Sequence, residues 1–106
     1  MVLIVIEGWY PAKIAALVGQ KYIEVTQKYP LDESLGKMVL APIFRATKDG
    51  IHFISVYECK DDKVKHMMMA LGKAMMMYTG IEGYHYSMDA YIDATEGFSI
   101  LGMKGP

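Results

Sequence analysis

The chain has 106 residues, of which 53% are apolar and 22% charged, and its formal net charge is −1. This length fits one compact domain, so we predict a single domain over residues 1–106. Eleven basic and twelve acidic side chains without a basic patch argue against a nucleic-acid partner. Cys59 is the sole cysteine and cannot form an internal disulfide, and no apolar run approaches the roughly 20 residues that cross a bilayer. We therefore expect a cytoplasmic protein with no membrane partner.

The first apolar run predicts a central strand. Val2 to Ile6 is rich in β-branched residues and lacks apolar/polar alternation, which is typical of a strand covered on both faces. It has no basic segment before it and Glu7 interrupts it, so we interpret it as a strand and not as a signal peptide. Gly8 is expected to break this strand.

A first helix is predicted from Pro11 to Lys28, because proline suits the first helical turn and Pro30 stops the helix. Its expected core stripe follows the 3.6-residue period and contains Ile14, Leu17, Val18, Tyr22, Val25 and Tyr29.

The middle of the chain predicts a hairpin. A strand from Met38 to Thr47 is followed by the turn Lys48-Asp49-Gly50 and by a returning strand from Ile51 to Cys59. Pro42 lies inside the first of these strands, which indicates an edge position or a bulge.

A second helix and a fourth strand complete the pattern. The helix is predicted from Asp62 to about Thr79, capped by Asp61 or Asp62 and ended by Gly80. The strand is predicted from Gly83 to Ile92. Asp93 and Glu96 match a capping box, which favours a short closing helix, Ala94 to Leu101.

The order β-α-β-β-α-β predicts an α+β fold of the ferredoxin-like type, with a four-stranded antiparallel sheet and both helices on one face. The other face needs a cover, because the strand Val2 to Ile6 offers apolar side chains to both sides. A second copy of the chain is the simplest cover, so we expect a homodimer.

Residues 2–92 resemble the dimeric α+β barrel superfamily in three respects: the order of the elements, their lengths and the two-sided hydrophobicity of the first strand. The resemblance implies two ferredoxin-like subunits packed sheet against sheet around a shared interior. Members of that superfamily include cofactor-independent monooxygenases, haem-degrading enzymes, muconolactone-isomerase-like proteins, stress-related assemblies and ligand-sensing domains. The fold alone therefore does not determine the function. The haem-degrading branch relies on an Asn-Trp-His combination, and this chain contains no Asn.

Candidate acid/base residues lie on the fourth strand. Alternation places His85, Asp89 and Tyr91 on one face, with Ser87. His85 and Asp89 are four residues apart, which is roughly 13 Å along a strand, so they are expected to flank a ligand and not to bond each other. These three residues are the predicted catalytic candidates, and a solvated face or an inter-subunit polar network is the alternative.

Four further residues are candidates for ligand binding. Trp9 lies where the first strand ends and Tyr86 is an aromatic of the fourth strand, so both can line a cavity for a planar molecule. Glu7 and Glu58 are carboxylates on neighbouring strands that His85 could approach. A lid over one end of the core is the alternative for Trp9.

No metal or cofactor is predicted. His52 and His66 lack a second ligand at a metal-binding spacing. The second helix contains two runs of three methionines, which exceed what one sheet needs; Cu(I) binding is disfavoured in a regular helix. We predict a packing role instead, in which Met69, Gly72 and Met76 contact another subunit.

Three functions follow for this chain. The first is a homo-oligomer that binds a small apolar or aromatic molecule in the subunit interior. The second is a cofactor-independent monooxygenase or isomerase that uses His85, Asp89 and Tyr91. The third is a structural assembly protein built through the methionines of the second helix.

Overall fold

The computed structural model describes residues 1–104. Four strands form its sheet: β1 (Val2–Tyr10), β2 (Gly36–Thr47), β3 (Gly50–Cys59) and β4 (His85–Ile92). Three α-helices accompany them: α1 (Ala15–Lys28), α2 (Val64–Met76) and α3 (Ala94–Ile100). The predicted α+β class and the order of the elements along the chain are confirmed.

The sheet is antiparallel throughout, with the strand order β2-β3-β1-β4. The hairpin of β2 and β3 turns at Gly50, whose φ of 131° suits glycine. Its pairing register shifts between Met38 and Leu40 and again between Leu40 and Ile43. The irregularity that Pro42 predicted is therefore present, since proline cannot donate to the ladder.

β1 is longer than predicted, because Gly8 lies inside the strand and does not break it. A Cβ atom at Gly8 would overlap the ring of Phe53, which lies across β1 on the helix-covered face. Glycine is used here for close approach of an aromatic ring and not for a turn.

Both long helices begin with a short 3-10 turn, Ala12–Ile14 before α1 and Asp61–Lys63 before α2. The predicted cap by Asp61 or Asp62 is wrong: the residue before α2 is Lys63, and no side chain caps the helix. The cap of α3 is confirmed, because the Asp93 carboxylate accepts a hydrogen bond from the backbone N–H of Glu96 at 2.9 Å.

The core lies between one face of the sheet and the two long helices. Its buried side chains come from every layer: Ile4, Ile6, Tyr10, Val18, Val25, Cys59, Met67, Leu71, Met75 and Tyr78. The predicted stripe of α1 is only partly correct. Val18 and Val25 are buried, whereas Leu17, Tyr22 and Tyr29 are 49%, 40% and 38% exposed.

The face of the sheet that lies away from α1 and α2 carries no helix of its own, and it is called the open face here. The cross-strand register places on it Leu3, Val5, Glu7, Trp9, Leu40, Ile43, Arg45, His52, Ile54, Val56, Glu58, His85, Ser87, Asp89 and Tyr91. Within residues 1–104, no helix has both the length and the apolar character needed to cross a membrane.

Candidate ligand cavity and open-face cluster

A cavity of about 280 Å³ lies between the sheet and α1, and we call it the inner cavity. Its walls come from both helices, three strands and the segment before β4: Ile6, Tyr10, Ala15, Val18, Gly19, Tyr22, Pro42, Phe44, Phe53, Ser55, Tyr57, Met75, Tyr78 and Tyr84. Two of the α1 residues in its wall, Ala15 and Gly19, are small. A small side chain on a helix leaves volume that a well-packed core would fill.

The wall of the inner cavity is aromatic. Tyr84 stacks on Tyr78, with ring centroids 4.7 Å apart and planes 11° apart, and on Tyr10 at 5.9 Å and 17°. Phe53 lies 6.3 Å from Tyr84 and 6.5 Å from Tyr10. Such offset stacks fix ring positions and present flat apolar surface to a ligand.

The inner cavity contains hydroxyl groups and no charged side chain. Burial raises the pKa of Tyr78 and Tyr84 well above the ordinary value of a phenol. Burial also raises the pKa of Tyr57, a shift that the neighbouring Ser55 hydroxyl opposes. Phenols with raised pKa values stay neutral at physiological pH, so this wall offers neutral hydrogen-bonding groups and no acid or base that titrates near pH 7.

A larger groove of about 770 Å³ runs between α1 and α2, and we call it the outer groove. It shares five wall residues with the inner cavity: Ile6, Tyr22, Tyr57, Met75 and Tyr78. The exposed side chains of Tyr22 and Tyr29 stand in its wall and do not fill it. The lysine, aspartate and histidine residues at its rim are Lys28, Asp32, His66 and Lys73.

On the open face, Arg45, His52, Trp9 and His85 are direct cross-strand partners and form one row across all four strands. Arg45 Nε donates a hydrogen bond to His52 Nδ1 at 3.0 Å. His52 Nε2 lies 3.8 Å from Glu7 Oε1, and the His52 ring stacks on Trp9 at 5.3 Å. These neighbours leave the His52 side chain only 11% exposed although it lies on an uncovered face.

His52 and Arg45 were missed by the sequence reasoning. Because Nδ1 accepts from Arg45, a neutral His52 carries its proton on Nε2, on the side of Glu7. The hydrogen bond from Arg45 occupies Nδ1, whereas Nε2 lies near Glu7 at 3.8 Å without a hydrogen bond, and together with the stacking on Trp9 these contacts orient the ring. The register between β2 and β3 brings Arg45 next to His52, and no local sequence motif predicts this contact.

The predicted acid/base residues share the open face but are not brought together. Asp89 is the cross-strand partner of Val5, and Tyr91 of Leu3, whereas His85 pairs with Trp9 at the other end of β4. None of the three lies in the wall of the inner cavity or of the outer groove. The predicted catalytic group is therefore separate from both the inner cavity and the outer groove.

The four predicted ligand-binding residues divide between the two faces. Glu7 and Trp9 belong to the cluster around His52 on the open face. Glu58, at the far end of the same face, lies 3.7 Å from Lys37 in an exposed ion pair. Tyr86 lies on the opposite face, 38% exposed, with its ring 6.3 Å from that of Tyr84 beside the inner cavity.

The second helix presents only part of its predicted contact surface to solvent. Met69 and Met76 are 55% and 62% exposed. Gly72 instead faces the sheet, where an added Cβ would meet the methyl group of Met88 at 3.9 Å. Among residues 1–104 no group of three or more His, Cys, Asp or Glu side chains is placed to hold a metal ion.

A scan of the chain against protein-family models, a search of curated proteins and a search of solved structures each found no match.

Proposed function

We propose that the chain is a ferredoxin-like subunit that forms a homodimer of the dimeric α+β barrel type and binds a small apolar or aromatic molecule. The observation that carries the binding proposal is the inner cavity, whose wall holds seven aromatic rings and no charged side chain. Concave sites lined by apolar and aromatic groups, with few polar ones, are the usual form of small-molecule sites. The ligand site is thus proposed between the sheet and the helices of each subunit.

The chemistry of the wall favours binding over catalysis. Acid–base catalysis at neutral pH needs a group whose pKa lies near the working pH. The phenols of Tyr78 and Tyr84 are shifted away from that range, and His85 lies on the other face. This arrangement supports a binding protein over the monooxygenase or isomerase alternative.

Calorimetric titration with 2-naphthol tests the binding proposal. Ser55 is 3% exposed and faces the cavity, so Ser55→Leu fills ligand space. Ser87→Leu is the matched control, because Ser87 lies on the open face. We expect wild type and Ser87→Leu to bind alike and Ser55→Leu to bind at least about tenfold more weakly, which is roughly 1.4 kcal/mol. Absence of binding by the wild type, or equal binding by both variants, would refute the proposed site.

The surface area of the subunit supports the homodimer. A compact monomer of 11.9 kDa is expected to expose roughly 5,950 Å², and this chain exposes 7057 Å². The excess of about 1,100 Å² exceeds the approximately 800 Å² that each partner buries in a standard interface. The radius of gyration, 15.5 Å, likewise exceeds the roughly 13 Å expected for this length.

The open face is the part of this surface that best suits a second copy. Ile43, Trp9 and Tyr91 on it are 52%, 42% and 53% exposed, and Val5, Ile54 and Val56 lie between them. An uncovered sheet face with this apolar content is a typical interface, and two such faces pack about 10 Å apart. A two-fold axis would pair the same face of both subunits.

The two exposed methionines of α2 support one further assembly step. Met69 and Met76 lie on the helix side of the subunit, away from the open face, so a contact through them would join dimers to each other. Met69→Glu combined with Met76→Glu tests this step by light scattering. An unchanged mass would count against a contact through these methionines.

A further inference from the structure

We propose that the ligand is amphipathic and anionic, with an uncharged aromatic body in the inner cavity and a carboxylate or similar acid group in the outer groove. This inference rests on the proposed binding function and adds the charge and the orientation of the ligand. It assigns Lys28 of α1 and Lys73 of α2 as the groups that hold the acid.

The buried part of the site excludes a charge. The inner cavity has hydroxyl groups and aromatic rings in its wall but no Lys, Arg, His, Asp or Glu. Placing an unpaired charge in such surroundings costs several kcal/mol, so a charged group of the ligand must lie elsewhere. Five residues line both spaces, so the outer groove adjoins the inner cavity and is the nearest described space for a charged group.

The rim of the outer groove favours a negative charge. Lys28 and Lys73 lie in its wall on two different helices, and among residues 1–104 neither has an acidic side chain within ion-pair distance. Asp32 is the acidic residue of this rim. Its carboxylate accepts two hydrogen bonds from Ser34, which lower its pKa and keep it ionised.

The groove is therefore positive on a chain that is slightly negative overall. Two lysines against one aspartate give the rim a net charge of +1 without any contribution from His66, whereas the whole chain has a formal net charge of −1. A cleft with one sign of charge and apolar walls concentrates the field that a ligand experiences. The charge pattern thus matches an acid with a flat apolar body.

Two probes with the same ring system test this inference at neutral pH. 2-Naphthoate is an anion and 2-naphthol is neutral, and both are titrated into the full chain by calorimetry. We expect naphthoate to bind roughly three- to tenfold more tightly, since each partly exposed ion pair contributes about 0 to 1 kcal/mol. We also expect added salt to weaken naphthoate binding and to leave naphthol binding unchanged.

The variant Lys73→Gln distinguishes the groove from general surface charge. It should reduce naphthoate affinity toward that of naphthol without changing naphthol affinity. Lys65→Gln is the matched control, because Lys65 lies on the same helix outside the groove. If naphthol binds as tightly as naphthoate, or if both variants behave alike, the anionic ligand is refuted and the binding function stands. If neither probe binds, the proposed function fails together with this inference.

Discussion

Two glycine-to-alanine substitutions, identical in chemistry, should have opposite effects on stability. At Gly8 the new methyl group would overlap the Phe53 ring, whereas at Gly19 it would meet no atom within 4 Å. Overpacking of this kind typically costs about 1 to 3 kcal/mol. Gly19 lies inside α1, where alanine is favoured by up to about 1 kcal/mol.

These energies convert to measurable shifts in Tm. An unfolding entropy of about 2.1 cal/mol/K per residue over 106 residues makes 1 kcal/mol worth approximately 4 to 5 °C. Gly8→Ala should therefore lower Tm by roughly 5 to 14 °C, and Gly19→Ala should raise it by up to about 5 °C.

Thermal denaturation followed by circular dichroism, at one protein concentration for all samples, measures both shifts. Gly8→Ala should also weaken 2-naphthol binding, because Phe53 forms part of the inner wall. A Gly8→Ala variant as stable as the wild type would show that Phe53 does not lie across β1, and the cavity described above would lose that wall.

Three further predictions concern separate parts of the molecule. Ile43→Lys on the open face should shift the mass in sedimentation from that of a dimer to that of a monomer. Ile23→Lys is the control on α1 and should leave the mass unchanged, because Ile23 is 58% exposed and Ile43 is 52% exposed. Equal masses for the two variants would refute the sheet-to-sheet dimer. Asp93→Ala removes the cap of α3 and should cost about 0.5 to 2 kcal/mol in denaturant unfolding, with no loss if the cap is unimportant. The free energy of unfolding should fall as the pH rises above the ordinary phenol pKa of 10.0. The reason is that Tyr78 and Tyr84 retain their protons in the folded state, whereas the unfolded chain releases them. A free energy of unfolding that stays constant above that pH in denaturant titrations would contradict the burial of these two side chains.

Much of the fold could be predicted because it is encoded in local patterns. The β-branched run Val2 to Ile6, the turn before Ile51 and the cap at Asp93 each specify their own element. The element bounds were less accurate. Gly8 resembles a strand breaker in sequence, and only the distant Phe53 ring explains why a glycine continues the strand.

The candidate site was harder to predict because it depends on contacts between distant residues. The hydrogen bond from Arg45 to His52 follows from the register of β2 and β3, which local sequence does not fix once bulges shift it. The inner cavity is a gap between a helix and a sheet, and its volume depends on how closely α1 approaches. The alternation in β4 correctly separated His85 from Tyr86, but it could not say which face holds the larger cavity.

The methyl group of Met75 provides the most direct test of a ligand between the sheet and the helices. Met75 lies in the walls of both the inner cavity and the outer groove, while the next residue, Met76, is 62% exposed and belongs to neither wall. In chain labelled with ¹³C-methyl methionine, addition of 2-naphthol should shift the Met75 methyl resonance through ring currents and leave that of Met76 in place. A shift confined to Met76, or no shift at either methyl group at saturating 2-naphthol, would contradict the proposed site.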